Sequence, residues 1–321
     1  MPTARRHHYL PQAYLAGFTK SGTIDGRCWV LEVQTGKRFV ASPKNLAVER
    51  DFNRIEIEGE RPDALEQAFS ELEGHAAAAI RRAADAGSSP QGDDYDNIIN
   101  LIVLIAVRNP QMRESWNQAR AQQARFVAEL LVSKKTVFDH VVAQAREAGY
   151  LSEAALQVSY EQARRFIKGG QYDIVCPRAG NQLVELQAFD NLLKLFARRL
   201  WSLCLAPSDG PEFVCSDHPV TLRWKEPGMR APIGFGLPST ELCVPLSHKI
   251  GLYGVFEEGL PPVVHLTEQG VAEFNNRAAS NASRHVFSAT ETFALILNGK
   301  VTESSAVFGR PSGTVPLGSP A

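Results

Sequence analysis

The chain has 321 residues, is 44% hydrophobic and carries a formal charge of −1. This composition excludes a disordered protein and supplies enough apolar surface for a sizeable core, while the near-neutral total gives no chain-wide attraction to nucleic acid or to a membrane surface. Five cysteines, Cys28, Cys176, Cys204, Cys215 and Cys243, lie at wide spacings without a Cys-x-x-Cys pair; they read as reduced, mostly buried thiols of a cytosolic protein rather than a metal cluster.

The first element is the stretch from Arg6 to Phe18. It gathers two histidines, two tyrosines, a proline and a phenylalanine at an end where chains ordinarily fray. No apolar run follows Arg5 and Arg6, so no signal peptide is expected. The longest apolar stretch, residues 98–107, is about half of the roughly 20 residues a spanning helix needs. A soluble cytoplasmic protein with no membrane contact is the expectation.

Residues 22–26 carry turn chemistry. Residues 27–33 and 38–41 then read as two strands joined by a hairpin loop at 34–37. Ser42-Pro43 opens a short helix, and residues 51–58 form a further short strand. From 62 to 86 the spacing of Leu65, Phe69, Leu72, Ala76, Ile80 and Ala83 is helical, with Gly87 as the stop. Residues 94–107 are a helix buried on most sides, which Pro110 ends. Further helices follow at 112–131 and 136–148, then one capped by Ser152 that ends at Gly169-Gly170. A turn at 176–180 leads to a long helix over 183–205.

Beyond Pro207 the texture shifts to proline, glycine and strand-like alternation. Strands are predicted at 212–220, 221–224, 241–245, 250–256, 285–289 and 293–297, with a helix at 267–283. The chain is therefore α+β, with a predominantly helical middle, a β-rich N-terminal segment and a mixed, β-rich C-terminal third. The regions are 1–58, 59–206, 207–297 and a loose Ser-, Gly- and Pro-rich tail at 298–321. The two β-rich ends are able to pair into one sheet, so the shift near Pro207 need not be a domain boundary.

Four blocks carry a family resemblance. His8-Tyr9 with Pro11, Tyr14-Leu15 and Phe18 is similar to an opening signature; Arg108-Asn109-Pro110 to an Arg-x-Pro element; Ser216-Asp217-His218-Pro219-Val220 to a Ser-Asp-x-Pro-Val element. Pro245-Leu246-Ser247, with Asn275 and Arg284-His285-Val286-Phe287-Ser288, is similar to closing blocks. In this order they resemble the mostly bacterial family called domain of unknown function 4238. The resemblance implies a class without implying a reaction.

Each candidate residue has a functional and a structural reading. His7 and His8 point to opposite faces of a strand and cannot share one ion. His8 is the one within the resemblance; it is either a metal ligand or general base, or a hydrogen-bonding pin for the N-terminus. Asp217 precedes a proline at a strand end, facing a cleft or closing an Asx-type turn. Glu66 and Glu73 share a helix flank roughly 10 Å apart, as assistants at a site or as ordinary ion-paired residues. Arg108 binds a phosphate or carboxylate, or caps its helix. Arg284 and Asn275 line a site, or Arg284 pairs with an internal carboxylate. The pairs Arg81-Arg82, Arg164-Arg165 and Arg198-Arg199 are solvated faces unless the fold gathers them into a nucleic-acid stripe. Gly234-Phe235-Gly236 lacks the strand–turn–helix setting of a dinucleotide fingerprint, and no P-loop, Gly-x-Ser-x-Gly or His-Glu-x-x-His is present.

Two functions follow. In the first, the chain is an intracellular hydrolase of a phosphodiester or nucleotide. His8 and Asp217 ligate a divalent metal, or act as base and orienter; Glu73 or Glu66 assists, and Arg108 stabilises developing charge. In the second, the chain is a non-enzymatic recognition or regulatory module. There His8, Asp217 and Arg108 lock the N-terminal segment onto the C-terminal third, and the helices over 112–169 offer a protein partner its surface.

Overall fold

The computed structural model describes residues 6–50, 52, 64–151, 158–175, 178–257 and 259–308. The elements in chain order are β1 (Arg6–His8), α1 (Gln12–Ala16), β2 (Cys28–Glu32), β3 (Arg38–Ala41), a 3-10 turn (Pro43–Asn45), β4 (Val48–Arg50), α2 (Ala64–Ala86), α3 (Asp93–Val107), α4 (Pro110–Leu131), α5 (Lys135–Glu147), α6 (Tyr160–Gly169) and α7 (Arg178–Ala197). Then come β5 (Leu200–Leu205), β6 (Cys215–Ser216), β7 (Thr221–Trp224), β8 (Thr240–Pro245), β9 (Ile250–Val255), β10 (Val263–His265), α8 (Glu268–Asn281), β11 (His285–Ser288), β12 (Ala294–Leu297), β13 (Lys300–Glu303) and α9 (Ser304–Phe308). The class is α+β, with a helical middle and strand-rich ends. No helix among the described residues is long and apolar enough to cross a membrane.

The chain divides into two compact units, residues 1–110 with 183–321, and residues 111–182. In the first unit a five-stranded sheet has the order β10-β5-β9-β8-β7, antiparallel except where β10 runs parallel to β5. A four-stranded antiparallel sheet has the order β3-β2-β11-β6. N-terminal strands β2 and β3 thus share a sheet with C-terminal strands β6 and β11. The two remaining pairs are β1 with β4 and β12 with β13.

Helix α3 is the centre of the main core. Its run from Leu101 to Val107 is buried, as are Ile98 and Ile99. Around it pack Ala76, Ile80 and Ala83 of α2, Leu10, Tyr14 and Phe18 of the N-terminal segment, and Leu203, Val244 and Leu252 of the larger sheet. A fully buried Leu, Ile or Phe contributes about 1.5–3 kcal/mol, so a helix apolar on nearly every face is stable only inside such a shell. Three asparates, Asp93, Asp94 and Asp96, lie in its first turn, where the helix dipole favours negative charge.

Segment α1 is bolted to the β8–β9 turn. The hydroxyl of Tyr14 donates to the carbonyl of Pro245 at 2.5 Å, and the main-chain N–H of His248 donates to Gly17 O at 2.8 Å. A Cβ at Gly17 would meet Leu246 O at 3.0 Å, so this approach favours glycine.

Helix α8 packs against both sheets. Ala278 and Ala279 pack with Val214, Val286 and Leu295, while Val271 and Phe274 pack with Cys204, Phe213 and Cys243. Asn275, fully buried, accepts from Val214 N (2.9 Å) and donates to the carbonyls of Glu212 and Ala294 (3.0 Å each). It satisfies main chain on two sides of the helix.

Several boundaries differ from the sequence expectation. The long helix predicted over 183–205 ends at Ala197, and Leu200–Leu205 is strand β5. The apolar spacing continues through the break, so periodicity alone does not reveal it. Pairing with β9 and β10 decides the matter, and the indole of Trp201 donates to Phe196 O at 2.9 Å, closing the helix end. The strand predicted over 212–220 is only Cys215–Ser216, and β1, β4 and β10 were not anticipated. The tail at 298–308 folds as β13 and α9. Helix α6 starts one residue after Ser159, which forms a capping box with Gln162. The expected strand at 51–58, the cap at Ser152 and the free thiol of Cys176 lie outside the described residues.

In the second unit, Tyr160 OH donates to Val132 O at 3.1 Å and its ring meets Phe138 edge-on at 5.6 Å. Arg120 donates to Asn181 Oδ1 (3.0 Å) and Gly180 O (3.2 Å). Phe126, Leu130 and Phe166 of this unit are exposed.

Candidate functional site

The opening signature forms a strand whose alternation is as expected: His7 is buried and His8 half-buried. The His8 imidazole is engaged at both nitrogens. Its Nε2–H donates to the carbonyl of Lys44 (3.2 Å), and its Nδ1 accepts from Gln12 Nε2 (3.3 Å). A ring that donates at Nε2 and accepts at Nδ1 is neutral. A metal at His8 would have to displace one of these partners.

Arg108 ends α3 and is 3% exposed. Its Nη2 donates to the main-chain oxygen of His8 at 2.9 Å, and its Nη1 lies 3.5 Å from Glu73 Oε1. The guanidinium also stacks over Phe69, 4.2 Å from the ring centroid. Helix α2 therefore supplies both the counter-charge and the ring. Three predicted residues, Arg108, Glu73 and His8, are brought together, the last through its backbone. The Glu66 side chain lies outside the described residues.

Asp217, 2% exposed, has a different surrounding. Its Oδ1 accepts from Ser283 N (2.9 Å); its Oδ2 accepts from Arg284 N (2.7 Å) and from His285 N (3.4 Å). The carboxylate thus holds the chain where α8 turns into β11. The Asx-type expectation had the right kind of partner, a backbone amide, but these amides lie 66 to 68 residues along the chain.

Tyr9, His218 and His285 all respond to the charge of this carboxylate. Tyr9 is 6% exposed and its phenol titrates far above its ordinary value, chiefly through burial and next through the charge of Asp217. His218 is 5% exposed; burial lowers its pKa, Asp217 opposes that shift and Arg284 adds to it. Its Nδ1 makes no hydrogen bond, although Asn281 Nδ2 donates to its carbonyl at 2.6 Å. His285 is likewise lowered by burial and raised by Asp217. The available signal was position: Tyr9 follows His8, and His218 sits between Asp217 and the proline that takes the chain out of the sheet.

The family model described as Protein of unknown function (DUF4238) matches residues 6–292. The chain belongs to this family. The DUF4238 match contains every residue of both clusters. No curated protein and no solved structure matches the chain. Among the described residues of this DUF4238 chain, no group of three or more His, Cys, Asp or Glu side chains is disposed to hold a metal ion.

Proposed function

We propose that the chain is a non-enzymatic recognition module whose polar signature residues hold the fold together. One observation carries this reading. Both ring nitrogens of His8 and both carboxylate oxygens of Asp217 are engaged, chiefly by main-chain groups. A residue so engaged gives its hydrogen-bonding capacity to the structure and retains little for a substrate. Arg108 serves the same end by gripping the His8 carbonyl. A partner surface is available on residues 111–182, where Ala124, Ala128, Ala163, Phe166, Ile167 and Tyr172 line an apolar groove of about 650 Å³.

The competing proposal is metal-assisted hydrolysis of a phosphodiester or nucleotide by His8 and Asp217, with Arg108 and Glu73 assisting. One experiment separates the two. Melting temperatures of the full chain, His8→Ala and Asp217→Ala are measured with EDTA and then with added Mg²⁺, Mn²⁺ or Zn²⁺. The recognition reading expects both variants to melt lower and no metal to matter. A ligand that binds only the folded state raises the melting temperature. A metal-dependent rise in the wild type that both variants lose would instead make a metal site at His8 and Asp217 the leading reading.

A further inference from the structure

Asn298 and Gly299 join β12 to β13. Both have positive φ, 52° and 74°, as a tight two-residue hairpin turn requires. The turn sets Leu297 opposite Lys300 and Leu295 opposite Thr302, and Ser304 N donates to Phe293 O at 2.8 Å. In an antiparallel pair, residues that bond to each other alternate with residues whose main-chain groups point away. Ala294 and Ile296 of β12, and Val301 and Glu303 of β13, therefore direct their main-chain groups outward.

The two outer edges differ. On β12, helix α8 takes the place of a neighbouring strand. Asn276 Oδ1 accepts from Ile296 N (2.9 Å), its Nδ2 donates to Ile296 O (3.0 Å), and Asn275 Nδ2 donates to Ala294 O (3.0 Å). On β13, the N–H groups of Val301 and Glu303 and the Val301 carbonyl have no partner among the described residues. Val301 is exposed. Such an edge is a template for one more strand.

The surface beside the edge selects what that strand carries. A groove of about 540 Å³ is lined by Val301, Thr302 and Glu303 together with Lys20, Asp209 and Glu212. These residues bring three carboxylates and one ammonium, and Lys20 already pairs with Glu212 Oε1 at 2.7 Å. The other carboxylate oxygen, Glu212 Oε2, is buried and makes no hydrogen bond. Buried polar atoms ordinarily have a partner. The groove thus combines an excess of negative charge with an unsatisfied acceptor. Its carboxylates are not disposed to hold a metal ion, so its complement is an organic cation. Lysine and arginine carry one on a long apolar stem.

We infer that the outer edge of β13 adds an extended segment of a partner protein as a further strand, with a lysine or arginine of that segment in the adjoining acidic groove. The inference goes beyond the recognition reading: His8 and Asp217 take no part in it, and a metal response at those residues would leave it standing.

The test uses the full chain and short fluorescent peptides of alternating threonine and valine, with lysine, arginine or glutamate at the centre. Fluorescence anisotropy is expected to rise saturably with the lysine or the arginine peptide, and the glutamate peptide to bind about tenfold more weakly or worse. Methylating the main-chain nitrogens of the basic peptide removes its ladder donors and should weaken binding as much. Val301→Pro removes one outward N–H without touching the bonds to β12, and Glu212→Gln neutralises the carboxylate while keeping an oxygen for Lys20. Both are expected to weaken the basic peptide about tenfold or more, with peptide-free melting within a degree or two of wild type. The methylated peptide is read on wild-type protein, so it decides the matter even where a variant fails to fold. No saturable response to either basic peptide, equal affinity for the glutamate peptide, or undiminished affinity of the methylated one would overturn the inference. A dimer of the chain that Val301→Pro dissociates would also overturn it, because the edge would then belong to a second copy.

Discussion

The guanidinium of Arg108 donates to the main-chain oxygen of His8 across 100 residues of sequence. It joins the end of the most buried helix to the first strand, and Glu73 and Phe69 hold it from a third element. A lysine at this position cannot reproduce the fork or the stacking. Arg108→Lys is expected to lower stability by about 1–3 kcal/mol, the usual cost of leaving a buried polar group unpaired. Urea unfolding at constant slope checks the magnitude. Limited proteolysis checks the mechanism, since cleavage near the N-terminus should accelerate before the rest of the chain is attacked.

A second buried arginine works without a carboxylate in direct contact. Arg199 is 2% exposed and donates to the carbonyls of Thr240, Gly254 and Phe235 and to Thr240 Oγ1, with its guanidinium 4.0 Å from the Phe256 centroid. Burial brings its pKa down to about 10, still charged at neutral pH. Truncation to alanine would strand three carbonyls and open a void at the helix–sheet junction. Arg199→Ala is expected to cost on the order of 3 kcal/mol or more, and near-ultraviolet circular dichroism should report loosened packing around Trp201 and Phe256.

Helices α2 and α3 were legible because their apolar patterns agree with the glycine or proline beyond their ends. The α7–β5 break was not legible, because Leu193, Phe196, Leu200 and Leu203 keep a helical interval across it. Gly254 shows the tertiary reason: a Cβ there would lie 2.6 Å from the Trp201 ring, a contact visible only once β5 and β9 are side by side. At the site, residue types marked His8, Arg108 and Asp217, and the resemblance marked the same blocks. What they bond to was hidden, because Asp217 meets Ser283 and Arg284 through their main-chain amides, which every residue but proline carries. The environment of His218 was hidden for a related reason: a buried ring nitrogen without a hydrogen bond leaves no trace in sequence.

The cysteines give a chemical check on burial. Cys28, Cys204 and Cys243 are each pushed up to about 12 by burial, and burial also raises Cys215 well above its ordinary value. A thiol with a pKa near 12 is about 0.01% thiolate at pH 8, and the thiolate is the nucleophile. Native protein at pH 8 should therefore leave all four unmodified by Ellman's reagent over minutes, with mass mapping to confine any label to Cys176. In guanidinium chloride all five should react. Rapid native labelling of Cys204 or Cys243 would contradict the packing of α8 on the larger sheet.

His218 makes stability depend on pH in a direction that can be worked out. Its folded pKa is depressed below the ordinary 6.5, by burial first. The unfolded chain therefore takes up a proton at His218 at a higher pH than the folded chain does. Stability rises with pH wherever the unfolded state binds more protons. The contribution is present in full above about pH 6.5, the unfolded value, and is lost as pH falls through the folded pKa. The charge of Asp217 limits the loss, and that of Arg284 adds to it. His285, lowered in the same way, contributes in the same window. Denaturant melts from pH 7.5 to 5 should show wild-type stability declining below pH 6.5. His218→Gln should be less sensitive over that interval, and the difference between the two slopes isolates the residue from the other titrating groups. Identical slopes would mean that His218 titrates as it does in water, against the burial that the fold gives it.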